Sequence, residues 1–269
     1  MLQTLRLKTS SLPSSRAIWA KLLATELRQR QLPDAVALLQ QGGMEPDPWQ
    51  VAVGRSQAAR LLLLCCRQSG KSTTTAALAL ATALREPGSL VLLLSPSLRQ
   101  SSELFRKVLD HYRTLATPVP TRAESALRLE LANGSRLVSL PGTEGTVRGY
   151  SGVSLLVIDE AARVQDELYY AVRPMLAISH GRLIALSTPF GKRGWLHKEF
   201  TEGEGWERVK ITAYDCPRIS KEFLEEERRT LPPLFFQSEY CCEFVDTIDQ
   251  VFASEFVHAA ISAEVQPLF

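Results

Sequence analysis

The chain has 269 residues, of which 45% are hydrophobic and 22% charged, and its formal net charge is +2. These values are those of an ordinary soluble globular protein, and the length is sufficient for one large α/β domain with its own core. No stretch approaches the apolar length of a membrane-spanning helix, and five cysteines without C-x-x-C spacing exclude a disulfide framework or zinc site and favour a reducing compartment.

The N-terminal part is predicted to be a helical extension. Residues 1–15 are rich in serine and threonine and carry no readable function. From Arg16 to Gln41 apolar residues recur at helical spacing with a break at Leu32-Pro33, which predicts two short helices covering one edge of the core. A proline-rich loop then leads to Trp49-Gln50. The Gln50 amide could hydrogen-bond an adenine edge, or Gln50 could be a surface residue beside a core tryptophan.

The next stretch combines a strand, a glycine-lysine turn and a helix. Leu61–Cys66 predict a buried strand, and an Ala/Leu/Thr run without a breaker before Pro87 predicts a helix. Between them lies Arg67-Gln68-Ser69-Gly70-Lys71-Ser72. This arrangement is typical of the phosphate-binding loop of P-loop NTPases. The pattern requires glycine where this chain has Cys65, so the match alone leaves a chance glycine-lysine turn open.

The residue types of this loop suit a nucleotide. Gly70 allows the backbone to approach a phosphate, and the first amides of the following helix point toward the anion. Lys71 supplies a positive charge for the β and γ phosphates, and the hydroxyl of Ser72 can ligate Mg²⁺. We therefore predict that the phosphates are bound by Gln68, Ser69, Gly70, Lys71, Ser72 and Thr73.

The middle of the chain alternates strands with other elements. Leu90–Ser95 predict a second buried parallel strand, and a helix is expected from about Arg99 to Arg113. Residues 126–140 alternate with period two around Asn133-Gly134, which predicts a β-hairpin with a tight primed turn. A glycine-rich loop over residues 142–152 follows, and Arg148 lies inside it.

A second motif follows at Leu155–Ala161. Its apolar strand ends in Asp159 and Glu160, as in the Walker B motif, in which the aspartate binds Mg²⁺ and the glutamate polarises the attacking water. A strand ending in a capping acid is the structural alternative. The two motifs occur in the expected order, about ninety residues apart, and together they predict ATP hydrolysis.

The remaining elements are predicted as follows. A helix from Val164 to about Ile178 is interrupted at Pro174, and a buried strand then covers Arg182–Leu186. The small hydroxyl residues of Ser187-Thr188-Pro189 end this strand, either as a sensor of the γ-phosphate or as a plain strand stop. Lys192 and Arg193 either contact a nucleic-acid backbone or are only solvated.

Two more elements complete the prediction. Trp206–Thr212 form a last strand, and a charged helix begins at Ser220.

Taken together, five segments resemble the ATPase domain of the large terminase subunit of tailed bacteriophages, the motor that packages DNA into the capsid. They are Trp49-Gln50, CCRQSGKST, LLLSPSLRQSSELF, GTVRGYSGVSLLVIDEAARV and LIALSTPFGKRGWLHKEF. The resemblance covers about residues 45–250. It implies an α/β P-loop NTPase of the additional-strand, catalytic-glutamate type, with a mostly parallel central sheet flanked by helices and a β-hairpin before the Walker B strand. It also makes Cys65 unremarkable.

The resemblance implies roles for individual residues. Arg67 would contact the phosphates in cis, Gln50 would face the adenine, and Thr188 would couple hydrolysis to movement. Arg148 looks like the arginine finger that reaches the ATP of a neighbouring subunit. The implied catalytic residues are Glu160, Arg148, Lys71 and Arg67, and the implied metal ligands are Ser72 and Asp159.

The expected domain organisation departs from this family. We expect an N-terminal helical extension over residues 1–44, a P-loop ATPase domain over 45–245 and a tail or linker over 246–269. Terminase large subunits normally continue into an RNase H-like nuclease domain, for which the last residues are too few. Asp246, Asp249 and Glu255 are therefore interpreted as solvated or capping acids. An isolated domain and a naturally short protein both remain open.

Cofactors and partners follow from the resemblance. They are ATP and Mg²⁺, double-stranded DNA, the portal protein and the small terminase subunit, with a homo-oligomeric ring on assembly, a monomer otherwise, and no membrane. The expected location is the cytoplasm of the infected bacterial host. Two alternatives are another nucleic-acid translocase or helicase-like ATPase, and a nucleotide-binding scaffold without turnover.

Overall fold

The computed structural model describes residues 32–142, 147 and 149–246. The predictions for the helix beginning at Arg16, for Arg148 and for the tail after Asp246 fall wholly or mainly outside these residues. Within the described ranges no helix is both long and apolar enough to cross a bilayer.

Eight strands form a single sheet in the described part of the chain, in the order β3-β4-β5-β2-β6-β7-β1-β8. Neighbouring strands from β5 to β8 in this order pair in parallel, whereas β3 and β4 pair antiparallel. The strands are β1 Arg60–Cys65, β2 Leu90–Ser95, β3 Thr121–Glu124, β4 Arg128–Leu131, β5 Arg136–Pro141, β6 Leu155–Asp159, β7 Arg182–Ser187 and β8 Glu207–Ile211.

Helices cover both faces of this sheet. Helices α1, α3 and α4 pack on one face, and α5 and α6 pack on the other. The α-helices of the described residues are α1 Ala35–Gln41, α2 Pro48–Arg55, α3 Lys71–Arg85, α4 Leu98–Arg113, α5 Asp166–Val172, α6 Gly194–Thr201, α7 Lys221–Thr230 and α8 Pro233–Glu239. Short 3₁₀ turns cover Ala161–Arg163, Arg173–Leu176 and Ala213–Asp215.

Burial on both faces explains why the central strands are uninterrupted apolar runs. Leu61–Cys65 of β1 and Leu155–Ile158 of β6 are fully buried. A parallel strand that lies between two helical layers has no solvent-facing side, so it lacks polar alternation. The predicted mostly parallel sheet with flanking helices is confirmed, and β2 begins and ends where the sequence predicted.

The hairpin before β6 is also confirmed, but its predicted primed turn is wrong. Gly134 N–H donates to the Leu131 carbonyl at 3.0 Å, so Ala132 and Asn133 are the central residues, and neither has a positive φ. The positive φ of 88° falls on Gly134. The Asn133 amide donates to the carbonyls of Ala83 and Leu84 at the end of α3, at 2.9 and 3.3 Å. This tertiary contact fixes the turn.

Two further differences concern short elements. The exposed strand β3, Thr121–Glu124, has no apolar alternation and escaped sequence analysis. The helix predicted from Val164 begins at Asp166 and ends at Val172, because a 3₁₀ turn containing Pro174 follows directly.

Candidate active site

The loop between β1 and α3 has the backbone of a phosphate-binding loop. Gln68 and Gly70 have φ values of 61° and 90°, in the left-handed region. The positive φ of Gly70 favours glycine, and a Cβ atom there would lie 3.0 Å from Nε2 of Gln50. The Ser69 hydroxyl is fully buried and donates to the Cys66 carbonyl at 2.9 Å, which closes the loop beneath Lys71.

The two acids at the end of β6 face this loop. Lys71 Nζ lies 3.3 Å from a carboxylate oxygen of Glu160, and the Asp159 carboxylate accepts the backbone N–H of Glu160 at 3.0 Å. Burial, and then the nearby Glu160 charge, raise the pKa of Asp159 to about 6, although Lys71 opposes the shift. Burial alone would lower the pKa of Lys71, but the two carboxylates raise it. Lys71 is therefore a cation held between two acids.

Glu160 has an unusual backbone conformation. Its φ of 49° and ψ of 43° are left-handed, which costs a residue with a side chain about 1 kcal/mol. The chain then enters the 3₁₀ turn, in which the Ala162 N–H donates to the hydroxyl of Ser187 at 3.2 Å. The last residue of β7 thus holds the turn that orients Glu160.

A cleft of about 460 Å³ lies between the loop, β6 and α4. It brings together eight of the residues that the sequence predicted: Arg67, Gln68, Gly70, Lys71, Ser72, Thr73, Glu160 and Thr188. The same cleft is lined by three residues that sequence reasoning missed: Gln100, Lys107 and Arg163. Asp159, the residue before Glu160, is buried.

Helix α4 contributes two of the missed residues. Gln100 and Lys107 are seven residues apart, so they lie two turns from each other on one face of α4. Lys107 is half-buried, and burial lowers its pKa although Asp159 opposes the change. The seven-residue spacing was a visible signal, but it identifies a cleft wall only once α4 is known to pack beside α3.

Arg67 lies at the rim of the cleft and binds a distant acid. Its Nε is 2.6 Å from Oε2 of Glu239, the last residue of α8, and its backbone N–H donates to the carbonyl of the same residue at 3.2 Å. The hydrogen bond and charge of Glu239 raise the pKa of Arg67. The contact of Arg67 with phosphate stays a prediction. It requires that the guanidinium either leaves Glu239 or binds Glu239 and the phosphate together.

Gln50 is fully buried, so its interpretation as a surface residue is wrong. Its Oε1 accepts the N–H of Asp47 at 2.8 Å, and its Nε2 donates to the Thr74 hydroxyl at 2.9 Å and lies 3.8 Å from the sulfur of Met44. Both ends of the amide therefore bind protein groups. The adenine contact stays a prediction.

One arginine contacts both the phosphate-binding loop and the residue before α2. Arg218 donates to both carboxylate oxygens of Asp47, at 2.9 and 2.8 Å, and to the carbonyl of Ser69 at 3.0 Å. This guanidinium, which sequence analysis did not select, ties the start of α2 to the phosphate-binding loop.

The donors suit Mg²⁺ bound together with a nucleotide. Asp159 is a buried carboxylate at the end of β6, Ser72 supplies a hydroxyl in the first turn of α3, and Mg²⁺ commonly combines one or two protein oxygens with phosphates and water. Among the described residues no cluster of three or more His, Cys, Asp or Glu could hold a metal without such a ligand.

The predicted nucleic-acid contacts and tail acid lie beside the cleft. Lys192 Nζ is 3.6 Å from a carboxylate oxygen of Asp246, so this acid is ion-paired and not merely solvated. Arg163 and Arg193 lie over the ring of Phe190, at 4.2 and 5.0 Å from its centroid. Contacts of Lys192 and Arg193 with DNA stay predictions.

Comparisons with known proteins agree with this site. Residues 62–256 match the family described as terminase large subunit, T4likevirus-type, N-terminal. The terminase large subunit of Thermus phage G20c is 27% identical over 248 residues, which are 78% of this chain and 51% of that protein. The corresponding protein of Escherichia phage T5 is 26% identical over 230 residues, which are 80% of this chain and 51% of that protein. The chain spans about half the length of these curated relatives.

Solved structures show the same fold. The large terminase ATPase domain of Thermus phage P74-26 has a TM-score of 0.68 and 24% identity, and the match covers 77% of this chain and 97% of that one. A large terminase from a thermophilic bacteriophage, solved in complex with ADP, has a TM-score of 0.62 and 11% identity, over 74% of this chain and 54% of that one. The predicted P-loop NTPase fold is confirmed.

Proposed function

Since this chain belongs to the terminase large subunit family, T4-like type, N-terminal region, we propose that it is the ATP-hydrolysing motor domain of a viral DNA-packaging terminase. Hydrolysis would drive the translocation of double-stranded DNA in the cytoplasm of the infected host. The observation that supports this most directly is the contact of 3.3 Å between Lys71 and Glu160, formed where β6 ends beside the phosphate-binding loop.

The cleft supplies charge that matches a triphosphate. Arg67, Lys71, Lys107 and Arg163 line it as cations, against one lining acid, Glu160. Mg²⁺ held by Ser72 and Asp159 would neutralise part of the phosphate charge. Lys71 would leave Glu160 for the β and γ phosphates, because a polyphosphate offers this ammonium a larger negative charge than one carboxylate.

The release of Glu160 gives the carboxylate its role in hydrolysis. Glu160 orients a water and accepts its proton while the water oxygen attacks the γ-phosphorus; the bond to the β-γ bridging oxygen breaks, and ADP and phosphate are formed. The Ser187 hydroxyl holds the turn after Glu160, and Thr188 faces the same cleft, so β7 connects the reacting end of the nucleotide to the sheet.

The proposal includes parts contributed by an assembly. Arg148 would stabilise transition-state charge in the site of a neighbouring subunit, which makes an isolated chain a weak ATPase and a ring an efficient one. Assembly on a portal protein, with a small terminase subunit, is the corresponding proposal for partners. The support for these partners is family membership.

The experiment is steady-state ATP hydrolysis against protein concentration, with and without double-stranded DNA, for wild type, Glu160→Gln and Arg148→Ala. We expect specific activity to rise with concentration and Glu160→Gln to lose at least about a hundredfold. Glu167→Gln, an exposed acid on α5, is the matched control and should keep wild-type activity. A slow rate that is insensitive to Glu160→Gln would instead support a nucleotide-binding scaffold.

Mixing tests the shared site separately. Arg148→Ala lacks the proposed finger but keeps Glu160, whereas Glu160→Gln lacks the base but keeps Arg148. Activity should therefore recover when the two inactive variants are mixed. Activity that is flat with concentration and indifferent to Arg148→Ala would contradict the trans arginine and leave a self-contained NTPase. Strand separation driven by ATP would favour the helicase-like alternative.

A further inference from the structure

A second cavity, of about 570 Å³, opens at the amino-terminal end of the parallel strands, opposite to the phosphate-binding loop. It lies where β1 begins at Arg60 and where β7 passes Leu183, beside the 3₁₀ turn Arg173–Leu176. Strand β1 separates it from the nucleotide cleft by about 20 Å. Its volume is in the range that small ligands and single nucleotides occupy.

The lining of this basal cavity is positive. Among the residues that the structure describes, it is lined by Arg60, Arg173 and His180 and by no aspartate or glutamate. Both arginines are half-buried, and Arg173 lies over the ring of Tyr169, at 5.4 Å from its centroid. Neither guanidinium has an ion-pair partner or side-chain hydrogen bond among the residues that the structure describes.

Neighbouring carboxylates are engaged elsewhere. Glu199 accepts hydrogen bonds from the Tyr169 hydroxyl at 2.9 Å and the Trp206 indole at 2.8 Å. Glu207, in the strand beside β1, accepts the hydroxyl of Ser56 at 2.8 Å. Two guanidinium groups that line one cavity repel each other, and an anion between them would relieve this repulsion and accept hydrogen bonds from both.

The rim adds two further groups. The side chain of Tyr170 is 55% exposed and lines the cavity. His180 is exposed and also lines the cavity. Phenol, imidazole and guanidinium groups all donate hydrogen bonds to phosphate oxygens.

We propose that the basal cavity binds a phosphate group of the DNA backbone. Two guanidinium forks and a phenol offer more donors than one carboxylate can accept, and phosphate accepts several bonds from different directions. The choice of DNA as the source of the phosphate rests on the proposed function. Contact at this end of the sheet would place DNA on a surface separate from the nucleotide cleft.

The experiment measures binding of a short fluorescent DNA duplex by anisotropy across a salt series, using the full chain. The test variant is Arg60→Gln/Arg173→Gln, and the matched control is Lys221→Gln/Arg229→Gln, which removes the same charge from exposed positions of α7. We expect the test variant to bind about tenfold more weakly at low salt, and the slope of log affinity against log salt to shrink by about two. The control should match wild type.

Three results would overturn the proposal: unchanged affinity in the test variant, an equal loss in the control, or a loss of polyglutamate binding while DNA binding persists. The last would assign the cavity to an acidic protein. Inorganic phosphate and ATP, added as competitors, separate a DNA site from a small-phosphate site: displacement of the duplex at low concentrations of either would overturn DNA as the source.

A second double variant keeps the proposal testable if Arg60→Gln/Arg173→Gln does not fold. Arg60→Lys/Arg173→Lys keeps both positive charges but loses the bidentate guanidinium donors. We therefore expect about threefold weaker DNA binding, with an unchanged slope of log affinity against log salt. Wild-type affinity for this pair would contradict the fork contacts. ATP hydrolysis by wild type without DNA is measured alongside. Absent hydrolysis would contradict the proposed function, whereas hydrolysis with unchanged DNA binding in the test variant would contradict only the DNA contact at the cavity.

Discussion

The guanidinium of Arg67 binds the carboxylate of Glu239, with Nε 2.6 Å from Oε2. The Arg67 side chain is 60% exposed and the Glu239 side chain only 7%, so the pair joins the rim of the nucleotide cleft to a buried acid at the end of α8. Arg67 also lines the cleft. A nucleotide phosphate and Glu239 would therefore compete for one guanidinium.

Weakening this pair should favour nucleotide binding. In Glu239→Gln the neutral amide holds Arg67 less strongly, so we expect the Kd for ATPγS to fall about threefold while the free energy of unfolding falls by about 1 kcal/mol. Calorimetric titration and urea unfolding measure the two effects. Glu243→Gln, an exposed acid nearby, should change neither. An unchanged or higher Kd in Glu239→Gln would show that no competition exists.

The contact between Ser187 and Ala162 predicts a separate effect on turnover. Ser187→Ala removes the acceptor of the Ala162 N–H and loosens the turn after Glu160, so we expect kcat to fall about tenfold with the Kd for ATPγS nearly unchanged. Ser139→Ala is the control, because this buried strand serine donates to the Ser101 carbonyl at 3.0 Å, outside the cleft lining. Equal effects of the two variants on kcat would contradict a positioning role.

Lys107 provides a test of the cleft wall that sequence analysis missed. Lys107→Met removes one of the lining cations, so we expect about fivefold weaker binding of ATPγS and a smaller loss for ADP, which carries less charge. The control is Arg106→Met on the same helix, an exposed side chain paired with Glu103. An equal loss of affinity for ATPγS and ADP would contradict a position of Lys107 near the γ-phosphate.

Local sequence was sufficient for the features that depend on local chemistry. Buried parallel strands are continuous apolar runs, so β1, β2, β6 and β7 could be predicted closely from these runs in the sequence. The phosphate-binding loop could be predicted because the residues that suit a phosphate are neighbours in the sequence. Gly70 adopts the positive φ that glycine allows, and Lys71 beside it carries the positive charge.

Features that depend on packing between distant segments could not be predicted. Lys107 becomes part of the cleft only because α4 packs beside α3. The conformation of the hairpin turn is set by bonds from Asn133 to helix carbonyls about fifty residues earlier. Arg67 was expected to contact phosphates, and the residues around it in the sequence give no sign that its partner is Glu239. In each case the partner lies far away along the chain.

Gln50 illustrates the same limit and yields a further prediction. Gln50→Leu leaves the Asp47 N–H without a partner inside the protein and removes the donor to the Thr74 hydroxyl, which keeps its bond to the Gly70 carbonyl; we therefore expect the free energy of unfolding to fall by about 2 kcal/mol. Gln57→Leu, an exposed glutamine, should have no effect. The ratio of ATP to GTP affinity tests the adenine contact in the same variant; an unchanged ratio would contradict that contact.

The buried carboxylate of Asp159 predicts a dependence of stability on pH. Burial raises the pKa of Asp159 from 3.8 to about 6. The folded protein therefore holds this proton more tightly than the unfolded chain, and stability falls as pH rises from about 4 to about 6, by on the order of 3 kcal/mol. At neutral pH the ionised carboxylate thus destabilises the fold, and ionisation is what the proposed role of Asp159 as a ligand of Mg²⁺ requires.

Asp159→Asn removes this charge with little change in shape. Urea unfolding should show the variant more stable than wild type by up to about 3 kcal/mol above pH 6, with the difference disappearing near pH 4. Asp110→Asn, an exposed acid on α4, should follow wild type at every pH. A variant that is less stable than wild type at neutral pH would mean that attraction from Lys71 outweighs burial, and that Asp159 is held as a stabilising partner of the lysine rather than strained for metal binding.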